Sequence, residues 1–184
     1  MTMSYRTFAL WISLISGTWL LSADAGLADV TASAPDAITI RIERTSKATP
    51  DVVWAQLSRI SEWWGADHTW SGDATNLSLN LTQGGGFDEK LPDDGFVRHM
   101  AVIYCAPGKK LRMTGVLGPL QEFALQGTMT IDLEKSAEGS KLVMIYHLTG
   151  PYSPGLDKVA PMIDKVLTEQ LESLARRSEK PDGK

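Results

Sequence analysis

The sequence predicts a two-layer α+β domain in which a curved antiparallel sheet packs around one long C-terminal helix. Three observations predict it. Through the middle of the chain, apolar and polar residues alternate in short runs divided by Gly- and Pro-rich turns. The C-terminal segment then changes period, placing Val159, Met162, Ile163, Val166, Leu167, Leu171 and Leu174 on one helical face with Asp, Lys, Glu and Arg between them. One amphipathic helix and one half-buried sheet cover each other's apolar faces most simply as two layers. A strongly twisted sheet wrapping such a helix leaves a natural pocket between them.

The elements follow in order. Residues 26–37 are small and polar and read as a flexible lead-in. Ile38, Ile40 and Ile42 alternate with Thr39, Arg41 and Glu43, a half-buried strand. Thr49-Pro50-Asp51 starts a helix, with Thr as cap, Pro at the first position and an acid in the first turn. Val53, Trp54, Leu57 and Ile60 continue it toward Trp63-Trp64-Gly65. Leu77, Leu79 and Leu81 alternate as a strand, and Gly84-Gly85-Gly86 is a turn or bulge. Phe87 to Leu91 and Phe96 to Cys105 are strands around the turn Pro92-Asp93-Asp94-Gly95. Lys110 to Leu117 is the next strand, and Gln121 to Leu125 a helical turn. Thr128 to Lys135 and Lys141 to Thr149 form a hairpin around Glu138-Gly139. The final helix should run for about 20 residues, roughly 30 Å, and Ser178 to Lys184 is a charged tail.

The chain of 184 residues is long enough for one domain with a real core. The start of the chain carries an export signal. Arg6 precedes a 14-residue apolar run, Phe8 to Leu21, and Ala23-Asp24-Ala25 fits the small-x-small cleavage rule. Residues 1–25 are therefore read as a signal peptide, with a second cleavage point after Ala28, and the mature protein as periplasmic or secreted. The apolar run is short for a membrane span, which needs about 20 residues, so no stable membrane insertion is expected once it is removed. An uncleaved anchor is the alternative. Removing Arg6 and Asp24 leaves the net charge at −4. Without a Lys/Arg cluster, binding to nucleic acid is not expected. The lone cysteine, Cys105, forms no internal disulfide and is expected to be buried.

Several segments together resemble one known group. They are the strand before Thr49-Pro50-Asp51, the Trp63-Trp64 pair, Gly72 to Leu79, and Gly84-Gly85-x-Phe87-x-Glu89. Val97 to Met100, Tyr104-x-x-Pro107-Gly108-Lys109, Leu117 to Gln121 and the terminal helix complete the set. The mature chain is similar, over residues 38–177, to the START-like helix-grip superfamily, SRPBCC. It looks closest to the branch of homologues of an activator of the heat-shock chaperone ATPase. That resemblance implies a cavity between the concave sheet face and the long helix, holding lipids, sterols, hormones or polyketides in different members. An exported chain would not meet a cytosolic chaperone, so the branch's chaperone role is not expected.

Carried onto this sequence, the resemblance implies ligand contacts from Trp63, Trp70, Phe87, Met100, Val102, Tyr104, Met113, Leu117, Met129, Met144, Tyr146, Met162 and Val166. The last strand should point Leu142, Met144, Tyr146 and Leu148 inward, with Val143, Ile145 and His147 outward. Methionine and tyrosine suit an adaptable apolar cavity, although any single one of these residues is expected in the plain core before it is expected to touch a ligand.

Sites for chemistry are sparse. His68, His99 and His147 have no metal-ligand spacing, and no metal or other cofactor is called for. The glycine triplet lacks the Lys-Ser/Thr and the helix of a phosphate loop. Glu89 and His99 are the catalytic candidates, an acid–base pair if they face the pocket. The expectation is instead an outer-face cross-strand ion pair. The chain therefore reads first as a binding protein for a hydrophobic small molecule, monomeric or dimeric. The alternatives are a cyclase-, dehydratase- or hydrolase-type enzyme using Glu89, His99, Tyr104 or Tyr146, and an envelope protein-interaction module.

Overall fold

The computed structural model describes residues 28–180. The leader expected over residues 1–25 and the end of the charged tail lie outside the described residues. Eight strands form one antiparallel sheet: β1 (Ala28–Ala34), β2 (Ala37–Ser46), β3 (Leu77–Leu79), β4 (Gly86–Lys90), β5 (Phe96–Ala106), β6 (Lys110–Gly115), β7 (Gln126–Ser136) and β8 (Gly139–Thr149). Their order across the sheet is β1-β2-β8-β7-β6-β5-β4-β3. Two α-helices, α1 (Pro50–Ser58) and α2 (Leu156–Ser178), and short 3₁₀ turns complete the described chain.

The expected α+β architecture, sheet around a C-terminal helix, is the one found. β2 buries Ile38, Ile40 and Ile42 on the face toward α2, and α2 comes closest to β2 and β1. Strand β8 buries Leu142, Met144, Tyr146 and Leu148 to 1 % exposure or less, so the inward phase expected for it is observed. Its outer Val143 is buried as well, opposite Glu43 on β2 and Asp132 on β7. Asp93 and Asp94 both take positive φ in the β4–β5 turn, the requirement of a tight two-residue hairpin.

Three expectations need correction. The polar lead-in at 26–37 is in part a strand: β1 pairs with β2 from Ala28↔Ile42 to Ala34↔Ala37, turning at Pro35-Asp36. Backbone pairing at the free edge of β2 supplies the order that its small side chains do not signal. The first helix stops at Ser58, and Ile60–Glu62 forms a 3₁₀ turn before the tryptophans. The buried stripe of α2 is Leu156, Ala160, Ile163, Leu167, Gln170, Leu171, Leu174, Ala175 and Ser178. Val159 and Val166 sit at its flank, and Met162 is 61 % exposed. The stripe is rotated from the expected one because small Ala160 and Ala175 and polar Gln170 lie on it, where large apolar residues were anticipated.

Candidate functional site

The inner face of the sheet from β8 to β4 holds the site. Along β4, Phe87 and Glu89 turn to the inner face, and Asp88 turns outward to meet Arg98 at 2.7 Å. The β4–β5 ladder runs Phe87↔Met100 and then Asp88↔Arg98, so His99 is the extra residue of a bulge. The bulge breaks the alternation that would have sent His99 outward. His99 and Met100 are both buried, at 3 % and 1 % exposure. The expected outer-face ion pair is thus a buried inner-face pair, with His99 Nε2 3.0 Å from Glu89 Oε2.

Glu89 also fastens the segment that follows the tryptophan pair. Its carboxylate accepts the backbone N–H of Trp70 at 3.1 Å and of Ser71 at 2.5 Å. Burial pushes the Glu89 carboxyl up, but the hydrogen bonds from Ser71, Trp70 and His99 outweigh it and hold the group below its usual value. An ionised carboxylate can only accept, so His99 Nε2 carries the hydrogen between them. In the neutral ring, Nδ1 is then the bare acceptor. It is sealed from solvent and has no hydrogen-bond partner among the described residues.

Aromatic rings wall this corner. Phe87 stacks at a tilt on His99 with centroids 4.6 Å apart, and Trp64 meets Phe87 edge-on at 5.1 Å. Trp63 and Trp64 are buried with their indole N–H groups donated to Leu57 O and His68 O. Both tryptophans are therefore satisfied within their own segment. Gln170 of α2 accepts the Gly65 N–H at 2.7 Å and ties the same segment to the helix.

A second buried polar atom lies on the inner face three strands away. Tyr146 is 1 % exposed, and its hydroxyl reaches across Gly127 of β7 toward the Leu117 amide without a partner in hydrogen-bond geometry. A Cβ on Gly127 would stand 3.1 Å from that oxygen, so only glycine leaves the ring its place. Burial pushes the phenol up to about 12, and it stays protonated near neutral pH.

The structure gathers most of the nominated contact residues onto one inner face. Trp63, Phe87, Met100, Met113, Met129, Met144 and Tyr146 are buried in a single core cluster, with Val102 and Leu117 packed against it and Val166 half-buried. Three nominated residues do not join them. Tyr104 is 50 % exposed, because the ladder shifts between Val102 and Tyr104 and leaves it opposite outward-facing Arg112. Trp70 is 44 % exposed and contributes its backbone N–H instead of its ring. Met162 faces solvent, as described above. Cys105 is half-buried, short of the full burial expected. The shift at Ile103 turns it back toward Leu111 of β6.

The inner-face residues are buried together in one cluster. Surface clefts open elsewhere: one of about 1090 Å³ borders Tyr104, Lys109 and Glu134, and one of about 670 Å³ lies between α1 and Lys180. Neither is lined by the methionines or by Tyr146. Among the described residues no three His, Cys, Asp or Glu side chains come together as a metal site. No described helix is long and apolar enough to cross a membrane.

A grip of curved sheet on a C-terminal helix, with an apolar inner face carrying a few buried polar atoms, defines a class of small-molecule-binding and cyclase-type folds. The chain belongs to the family described as polyketide cyclase / dehydrase and lipid transport, whose profile matches residues 37–179. Solved structures share the fold at low identity. Protein MLL2253 from Mesorhizobium loti is 18 % identical with a TM-score of 0.57, the match covering 79 % of this chain and 99 % of that one. A protein from Rhizobium leguminosarum is 20 % identical with a TM-score of 0.56, covering 82 % and 100 %. CalU16 from Micromonospora echinospora is 17 % identical with a TM-score of 0.55, covering 85 % and 87 %. No curated protein matches the sequence.

Proposed function

We propose that the mature chain is an exported helix-grip protein that holds an apolar or amphipathic small molecule between the inner sheet face and α2. One observation carries this reading. Two polar atoms, His99 Nδ1 and Tyr146 Oη, are buried without partners in a wall of methionine and aromatic side chains. Leaving such an atom unsatisfied costs about 1–3 kcal/mol, and ligand sites combine apolar walls with a few convergent polar groups. A bound molecule would restore both hydrogen bonds. Because the site is sealed, the molecule must displace a covering segment, and the stretch latched by Glu89 and Gln170 is the natural one to move.

Export rests on the leader at residues 1–25 and places the protein in the periplasm or outside the cell. The sequence motifs put the chain nearest the chaperone-activator branch, whose cytosolic role an exported protein does not share. Native mass spectrometry of protein purified from its own host tests both parts. The expected result is a mature mass lacking the leader and a co-purifying small molecule. An empty protein that also binds no hydrophobic fluorescent probe would sink the binding reading.

A second reading is favoured by the Glu89–His99 pair. A carboxylate that orients a histidine and leaves its other nitrogen bare is the arrangement of a general base. In that case the bound molecule is a substrate for proton abstraction, as in a cyclase or dehydratase. Turnover of a bound ligand by the native protein and its loss in His99→Gln, with binding retained, separate catalysis from binding.

A further inference from the structure

The polarity of the buried atoms says what kind of head group the site accepts. Resting on the binding reading above, we propose that the ligand is an apolar molecule bearing a neutral hydroxyl, its O–H donated to His99 Nδ1, and that carboxylate-headed amphiphiles are rejected. Glu89 uses both oxygens as acceptors, for the Trp70 and Ser71 amides and for His99 Nε2. In the neutral imidazole, with its one hydrogen on Nε2, Nδ1 offers a lone pair and requires a donor. A carboxylate has none to give. It would also bring a second negative charge into a buried corner that already holds the Glu89 anion, where charge repulsion is weakly screened.

The rest of the inner face agrees. No lysine or arginine stands among the inward residues of β4 to β7. Arg98 is turned outward and held by Asp88. Nothing in this half of the sheet therefore neutralises an anion. Tyr146 Oη, protonated near neutral pH, is a donor waiting for an acceptor. A hydroxyl or carbonyl oxygen on the ligand serves it, and both ends of the site then recognise neutral oxygen groups on an apolar body.

The test compares matched heads on two bodies, so that ligand shape does not decide the outcome. Titration calorimetry at pH ~7.5, where the alcohols and the naphthol are neutral and the acids ionised, would measure 2-naphthol against 2-naphthoate and 1-decanol against decanoate. The hydroxyl member should bind at least about tenfold more tightly, the equivalent of one hydrogen-bonding difference of roughly 1.4 kcal/mol. His99→Phe should narrow that preference; His99→Asn, whose amide oxygen again offers an acceptor where Nδ1 stood, should restore part of it and guards against a fold defect. Equal binding, or tighter binding of the carboxylates, overturns the inference while leaving the pocket standing. Failure of all four probes overturns the pocket, and the inference with it.

Discussion

Replacing Tyr146 by phenylalanine distinguishes a polar atom kept for a ligand from one kept for the fold. In an ordinary core, losing a buried tyrosine hydroxyl removes a hydrogen bond and costs stability. Here no partner meets the hydroxyl in hydrogen-bond geometry, and the nearby Leu117 amide offsets only part of its desolvation in the ligand-free protein. Unsatisfied buried groups cost about 1–3 kcal/mol, and Tyr146→Phe keeps the ring over Gly127 while removing the oxygen. The variant should be more stable than the parent by about 1 kcal/mol at neutral pH, or roughly 2–4 °C in Tm for a domain of this size. The same substitution has an alkaline signature. The folded protein holds the Tyr146 proton up to about 12, whereas the unfolded chain loses it near pH ~10. Stability contributed by the buried phenol is complete below pH ~10 and is lost as the pH rises to ~12, roughly 2–3 kcal/mol in all. Urea unfolding at pH 7.5 and across the alkaline range measures both effects, with unchanged m-values as the control for a common unfolded state. A variant less stable than the parent by about 1 kcal/mol at neutral pH would refute the reasoning. So would identical alkaline losses in the two proteins.

Other perturbations test the neighbouring parts. Glu89→Ala leaves the Trp70 and Ser71 amides and His99 Nε2 without their acceptor; a loss of about 3 kcal/mol or more is expected, with hydrogen exchange of those two amides sharply accelerated. Because the Glu89 carboxyl is depressed on folding, its contribution is present above pH ~4.5 and lost as the pH falls through the folded value. Glu89→Gln should therefore show a shallower acid decline than the parent in a pH series of melts. Gly115→Ala places a Cβ 2.4 Å from the His99 carbonyl at a φ of +145°, and a loss of about 2–4 kcal/mol is expected from overpacking and strain, read by urea unfolding. On α2, Leu167→Ala should cost about 2–5 kcal/mol and Met162→Ala less than about 0.5 kcal/mol. Similar losses at the two positions would contradict the rotated stripe.

The architecture was legible because periodicity reports which face of an element is buried. Ile38, Ile40 and Ile42, the hairpin around Glu138-Gly139 and the long terminal helix follow from spacing alone. Where the alternation is unbroken, as from Leu142 to Leu148, the inward residues were legible too. Strand β1 left little trace, since its small polar side chains hold order through backbone pairing to β2. No period marks its sequence.

The site was legible only in part, and the reason is local. Two irregularities of β5 reassign faces that strict alternation would assign differently. The bulge at His99 brings the imidazole inward against Glu89, and the shift at Ile103 turns Tyr104 outward beside Arg112. A one-residue slip in a strand moves every later side chain to the other face, and nothing in the composition of β5 marks where the slips occur. By itself the sequence determined the class of fold and the apolar character of the inner face. Only the tertiary structure decided which polar atoms that face encloses, because pairing of distant strands sets how each bulge is absorbed. The buried Glu89–His99 pair and the unpartnered Tyr146 hydroxyl are products of that pairing.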